Sequence, residues 1–287
     1  MDRPYAKAAV YGVGLALYAG VRPGGVYALK PGARPEKMLC NVAATIDGIE
    51  EASDMGGAVR RGEVGAPSLG IGKFLARLVR EAFRWCGVAY PALVAPIAVL
   101  TMAMGYADSE SVVEDAAKVK RFLESLLTSA PWSEARGFLE ALRSVHRDDM
   151  YEHASSAGVS PLPYAVGQAS MAEVFRVLGS RWPSFAAIDP REFPLPGMVK
   201  ALVELHRKFG DAGVALGALY LQLVEPKLPG DVREEAKRLA SGSIAERDAF
   251  RKLVELDAKL ARRGVRLDEY SELLALVAYA GALEGVR

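Results

Sequence analysis

The chain has 287 residues, 51% of them apolar, with 36 Lys plus Arg against 35 Asp plus Glu and a net charge of +1. That length can bury a large core, in one domain or two closely packed ones. The charge balance points to neither nucleic acid nor an anionic membrane surface as partner, and leaves room for a local cationic pocket. Two cysteines, Cys40 and Cys86, fit no metal-binding or redox spacing and are expected as reduced, buried thiols of a cytoplasmic protein. Asn41 is the only asparagine, and Gln168 and Gln222 are the only glutamines, an amide depletion that points to a thermophile.

Asp2, Arg3 and Pro4 open the chain, and no small-residue cleavage site closes the apolar run 10–21, so no secretory leader is expected. Helical periodicity then dominates. Residues 5–19 read as an alanine-rich helix in which Gly12 and Gly14 allow close packing, and 22–35 as a Gly/Pro-rich loop. A helix over 36–52 follows, with Met38, Val42, Ile46 and Ile49 on one side, and then an irregular glycine-rich stretch, 56–72. Residues 86–107 carry no charge across a spanning length. Pro91, Pro96 and arginines on one flank only favour a buried central helix there over a membrane span. Ser109 to Ser111 should cap the next helix, with Glu114 and Asp115 in its first turn as dipole partners.

Residues 134–157 read as one long amphipathic helix ending at Gly158, with Pro161 and Pro163 just beyond. The proline-rich stretch 180–197 is the candidate linker between sub-lobes 1–179 and 198–287, although Trp182, Phe185 and Phe193 suit it to pack on the body. Helices resume at 198–209, 212–224, 232–240, 244–263 and 267–283. The fold class expected is all-α, a globular bundle of roughly ten helices forming a single domain over 1–287. A homo-oligomer is compatible with this reading.

Several segments, taken in order, resemble the triphosphoribosyl-dephospho-CoA synthase family. They are RPGGV (22–26), PALVAPIAVL (91–100), SVVEDAAKVKRFL (111–123), LEALRSVHRDDMYEHASSAG (139–158, with its Arg-Asp pair) and FGDAGVALG (209–217). The C-terminal stretch 255–285 adds Leu256, Asp257, Arg266, Leu267 and the closing Leu283-Glu284-Gly285. The resemblance implies a nucleotide-dependent transferase with a small-molecule nucleotide as its partner: the family moves the triphosphoribosyl group of ATP to the 2′-hydroxyl of dephospho-CoA and releases adenine, with Mg²⁺ accompanying ATP. By position it implies Asp149, Asp211 and Glu272 as catalytic acids and Arg22, Gly24 and Gly25 as the nucleotide-binding loop, with Lys30 a weaker candidate. Such chemistry needs counter-charges for a triphosphate, a carboxylate near the ribose C1′, and a general base for the hydroxyl proton.

The departures from the family pattern are as specific. Asp268-Glu269-Tyr270-Ser271 replaces its Asn-Pro-Gly-Thr-Thr turn, Ala212, Leu216 and Gly217 replace a Thr, an Arg and a Lys, and a carboxylate-rich stretch has become ALKPGARPEK (28–37), keeping only Glu36. Losing two charge-assisted contacts costs about a hundredfold in affinity. Weak Mg·ATP binding and slow or absent adenine release are therefore expected, and a non-catalytic binding descendant is the alternative function. His146, Asp149 and His153 fall at i, i+3 and i+7 of the 134–157 helix but lack a converging fourth ligand, so no metal is expected there.

Overall fold

The computed structural model describes residues 4–159, 169–246 and 248–287, and among them every regular element is a helix. Among the described residues there are fifteen α-helices against the ten or so expected, and two of the additional ones come from long helical readings that are broken. The 36–52 reading divides at Thr45 into α2 (Pro35–Ala44) and α3 (Ile46–Arg60), following α1 (Pro4–Tyr18). Thr45 Oγ1 donates to the Asn41 carbonyl four residues back, at 2.8 Å, while its amide bonds Val42 O at 3.1 Å. A threonine bonding back in this way competes with the helix ladder and turns the chain. Helix α3 also runs on through Gly56 and Gly57, the start of the stretch expected to be irregular.

Gly56 is required by contact: a Cβ built on it would lie 1.9 Å from Met102 O of α5 (Pro91–Ala107), and one on Gly105 would lie 2.2 Å from Ser53 O of α3. The two helices therefore meet backbone to backbone. Gly12 likewise lies against the Ala278 backbone of α15 (Asp268–Leu283), whereas Gly14 faces open space. Buried from Pro91 through Met104, α5 packs against α3, α15, α4 (Ile71–Cys86) and α6 (Ala116–Ser129). No helix among the described residues is long and apolar enough to cross a membrane. Pro96, inside α5, lacks the amide that would bond Ala92 O. The buried Ser184 hydroxyl donates to that carbonyl instead, from the proline-rich segment. Ahead of α6, Ser111 accepts from Glu114 N and donates to Glu284, so Glu114 and Asp115 precede the helix rather than form its first turn.

The second break converts 134–157 into α7 (Trp132–Ser144) and α8 (Asp148–Ser156). His146 adopts φ 58°, and Arg147 N bonds Leu142 O at 2.9 Å, a six-to-one closure that ends α7. Histidine tolerates this left-handed conformation better than most residues. His146 consequently leaves the face it was expected to share with Asp149 and His153. It meets Phe83 edge-on, while His153 Nε2 lies within hydrogen-bond distance of Val177 O and Ser180 Oγ. Pro161 and Pro163, like Asp2, Arg3 and Gln168, fall outside the described residues.

The proline-rich segment starts at Ser180, the C-cap of α9 (Met171–Gly179), and holds the short α10 (Pro183–Ala187), and Trp182, Phe185 and Phe193 are buried on the body. Helices α11 (Leu195–Phe209), α12 (Ala212–Val224), α13 (Gly230–Ser241) and α14 (Ala249–Arg262) then lead to α15. The expectation of free thiols is overturned: Cys40 and Cys86 form a disulfide joining α2 to the last residue of α4, closing a sequence separation of 46. The spacing matched no cysteine motif because the bridge is tertiary, made by the packing of α2 on α4.

Candidate functional site

Two chain segments without regular structure face each other across a cleft, and each is held by hydrogen bonds from helices. The loop after α1 is fixed by the C-terminal helices. The Asp257 carboxylate accepts from Gly24 N (2.6 Å) and from the Tyr27 hydroxyl (2.8 Å), Ser271 Oγ accepts from Val26 N (2.7 Å), and Leu267 N donates to Gly24 O (2.9 Å). Gly25 N donates to Arg22 O at 2.8 Å. A Cβ on Gly25 would meet the Tyr220 hydroxyl at 2.6 Å, so that position excludes any other residue.

The opposite segment, residues 87–90, is held by α2. Asn41, wholly buried, donates to Val88 O and to Lys37 O (2.9 Å each) and accepts from Tyr90 N (2.7 Å), while Lys37 Nζ donates to Cys86 O (2.7 Å). The disulfide adds a covalent tie one residue before the segment begins. The single asparagine and both cysteines of the chain thus shape one wall.

Between these walls lies a cavity of about 530 Å³ lined by Tyr90, Arg147, Asp149, Arg181, Trp182 and, from the first turns of α15, Glu269 and Glu272. The break at His146 places Arg147 here. Its guanidinium grips Asp149 through two bonds (2.9 and 3.0 Å), reaches Ala89 O (3.3 Å) and lies over Trp182, on which Arg181 also stacks. Burial opposes the charge of Arg147, but the hydrogen bond with Asp149 and the field of Glu272 outweigh it and raise its pKa. Burial likewise opposes ionisation of Asp149, and the same hydrogen bond reverses that and holds the carboxyl below its ordinary range.

Glu272 is the unusual member. It is 6% exposed, and its Oε2 has no hydrogen-bond partner. Burial pushes its pKa from 4.5 up to about 7, against the pull of Arg147 and with the help of Glu269, Asp149 and Asp268. A carboxyl titrating near neutrality inside a charged cleft is a physical mark of a functional site. Among the described residues no group of three His, Cys, Asp or Glu converges tightly enough to hold a metal ion by itself. A Mg²⁺ ion would have to arrive on phosphate oxygens and take one or two of these carboxylates.

Of the residues read from the sequence, Asp149 and Glu272 meet on this cavity, and Gly24 borders an adjoining one. Asp211 does not line either. It is exposed at the N-cap of α12, where its carboxylate accepts from Val214 N at 2.8 Å. Arg22 lies beneath the loop, 1% exposed, with Nη1 on Val21 O and with Nε and Nη2 unpartnered, and burial lowers its pKa to about 10. The Gly24 and Gly25 amides are already bonded within the chain. Arg147 and Arg266 lie inside segments that carried the family resemblance, so their positions were visible but their role was not. Arg181 and Trp182 sit in the candidate linker, where Trp182 signals packing on the body but neither residue marks a cleft.

No family model matches the chain, and no curated protein matches it. One solved structure does: a crystal structure from Archaeoglobus fulgidus, assigned provisionally as a triphosphoribosyl-dephospho-CoA synthase. It is 18% identical over 88% of this chain and all of that one, with a TM-score of 0.54. That likeness establishes a common helical fold.

Proposed function

We propose that this protein is a nucleotide-dependent pentosyltransferase of the triphosphoribosyl-dephospho-CoA synthase kind, working in the Arg147–Glu272 cleft on ATP delivered with Mg²⁺. The observation that carries the reading is Glu272: a buried carboxyl with an unpartnered oxygen and a pKa of about 7, facing a cavity walled by arginines. Its titration range suits a base at neutral pH. In the transfer an acceptor hydroxyl oxygen bonds the ribose C1′ as the bond from C1′ to adenine breaks. The electron pair leaves with adenine, and the hydroxyl proton passes to Glu272. Asp149, kept ionised by Arg147, suits the positive charge that develops at C1′. Arg147 and Arg181 are the counter-charges for the triphosphate. Asp211 takes no part in this scheme.

A second reading, a binding protein without turnover, is favoured by one observation: Arg147 and Arg266 already pair with Asp149 and Asp268, so much of the positive charge is spent inside the protein. Titration calorimetry with Mg·ATP and an adenine-release assay with dephospho-CoA separate the two. Release lost in Glu272→Gln with Mg·ATP binding kept, and both lost in Arg147→Ala, support the transferase. Binding without release supports the second reading, and absence of binding overturns both.

A further inference from the structure

Beside the main cavity, and sharing Tyr90, Arg266 and Asp268 with it, lies a second lobe of about 730 Å³. It is bounded by the loop 24–34, the end of α14 and the turn 263–267. Three cations reach it: Lys30 and Arg34 from the loop, and Arg266 from the turn. Of its two carboxylates, Asp257 has one oxygen on Gly24 N and the other on the Tyr27 hydroxyl, so its charge is consumed in holding the loop. Asp268 is different. It pairs with Arg266 through both Nε and Nη2 and stands 4.0 Å from Lys30 Nζ, an anion seated between two cations at the lobe's edge. Arg34 makes no ion pair with any described residue and is exposed.

We infer that Lys30, Arg34 and Arg266 form a second anion site, which takes a phosphate or pyrophosphate group directly, without a bridging divalent metal, and that Asp268 is the internal anion this group displaces. Three arguments support it. Guanidinium groups bind phosphate through paired N–H donors, and Arg266 already directs two of its own, from Nε and Nη2, onto a single oxygen, Oδ2 of Asp268. Lys30 is pre-positioned, because its Nζ donates to Gly25 O at 2.7 Å and is held at the lobe rather than sweeping through solvent. A metal-bridged mode would need free carboxylates, whereas both oxygens of Asp257 are already engaged in holding the loop and the 28–37 stretch offers only Glu36, which does not line the lobe. The inference goes beyond the transferase reading and stands if that reading fails.

The test is calorimetric titration of the full chain with inorganic pyrophosphate, in EDTA and at low ionic strength. Binding is expected without metal, weakened about tenfold by Arg34→Ala, which removes one charge-assisted contact at an exposed position with no structural partner. Asp268→Asn should strengthen it several-fold by removing the internal competitor, while Arg147→Ala and Glu272→Gln should leave it unchanged. Pyrophosphate binding that needs Mg²⁺, that ignores Arg34→Ala, or that weakens in Asp268→Asn overturns the inference. Loss of pyrophosphate binding in Arg147→Ala would place the anion in the main cavity, and that too overturns it. Failure of the transferase appears separately, as absent adenine release with pyrophosphate binding intact.

Discussion

Helix α5 and the floor of the cleft are both shielded from water, but they treat polar groups in opposite ways. Along α5 the one buried polar side chain, Thr101, bonds Ile97 O at 2.8 Å and the Tyr279 hydroxyl at 2.6 Å. Even the carbonyl freed by Pro96 is filled by Ser184. On the cleft floor Glu272 keeps an oxygen without a partner. Complete satisfaction of buried polar groups is what folding selects. An exception held in place by a well-anchored frame is where the molecule retains capacity to bind something else. Helix α15 shows both patterns, with Glu269 and Glu272 in its first turns and an unbroken buried run from Leu273 to Ala282.

The sharpest way to break the contrast is to attack the packed region. Gly56→Val would press a branched side chain onto Met102 O of α5, where even a Cβ has 1.9 Å of room. A loss at or above the ~3 kcal/mol upper end of ordinary overpacking is expected, read as a fall in melting temperature by calorimetry. A variant that melts with the parent would show that α3 and α5 are not in backbone contact. Opening the disulfide, by a dithiol reductant or by Cys86→Ala, should cost about 2–4 kcal/mol, since it releases a long loop of the unfolded chain. Equal unfolding midpoints in denaturant with and without reductant would refute it.

The cleft should reveal itself through pH. Folded Glu272 holds its proton to about pH 7, whereas unfolded it ionises near 4.5. Folding therefore binds a proton in that window, and stability falls as pH rises from 4.5 through 7, by up to about 3 kcal/mol, and is level above it. Glu272→Gln should abolish this fall and make the protein more stable than the parent at about pH 8.5. Urea midpoints across the range measure it, and a Gln variant less stable than the parent in alkali would mean that the carboxylate is satisfied after all. The smallest effect belongs to Asp211→Ala: about 1 kcal/mol, the worth of an N-cap, with Mg·ATP affinity unchanged in calorimetry. A loss of nucleotide binding in that variant would return Asp211 to the functional site.

The sequence made the helical architecture and the central place of α5 legible, because a charge-free run containing Pro91 and Pro96 suits burial among helices. It also marked Asp149 and Glu272, which do share a cavity. What it hid was tertiary. The breaks at Thr45 and His146 depend on one hydroxyl and one left-handed residue inside continuous amphipathic patterns, so periodicity runs through them unbroken. The cysteine pairing depends on α2 lying on α4. Arg181 and Trp182 reach the cleft only because the proline-rich segment folds back on the body. Asp211 looked catalytic by its place in a motif, but its local sequence, an acid directly before an apolar helix, equally describes a cap.

The hydrogen bond from Ser184 to Ala92 has a consequence for how the chain is partitioned. Helix α5 is not self-sufficient: one rung of its ladder is supplied by a residue 92 positions later. A chain emerging in order would hold α5 with an open carbonyl at its centre until 180–197 arrives, so the middle of the protein closes late and around a non-local contact. The proline-rich segment is then a keystone inserted into the core rather than a tether. A nick there would withdraw a donor from the most deeply buried helix and leave two pieces, neither of which carries a finished interior.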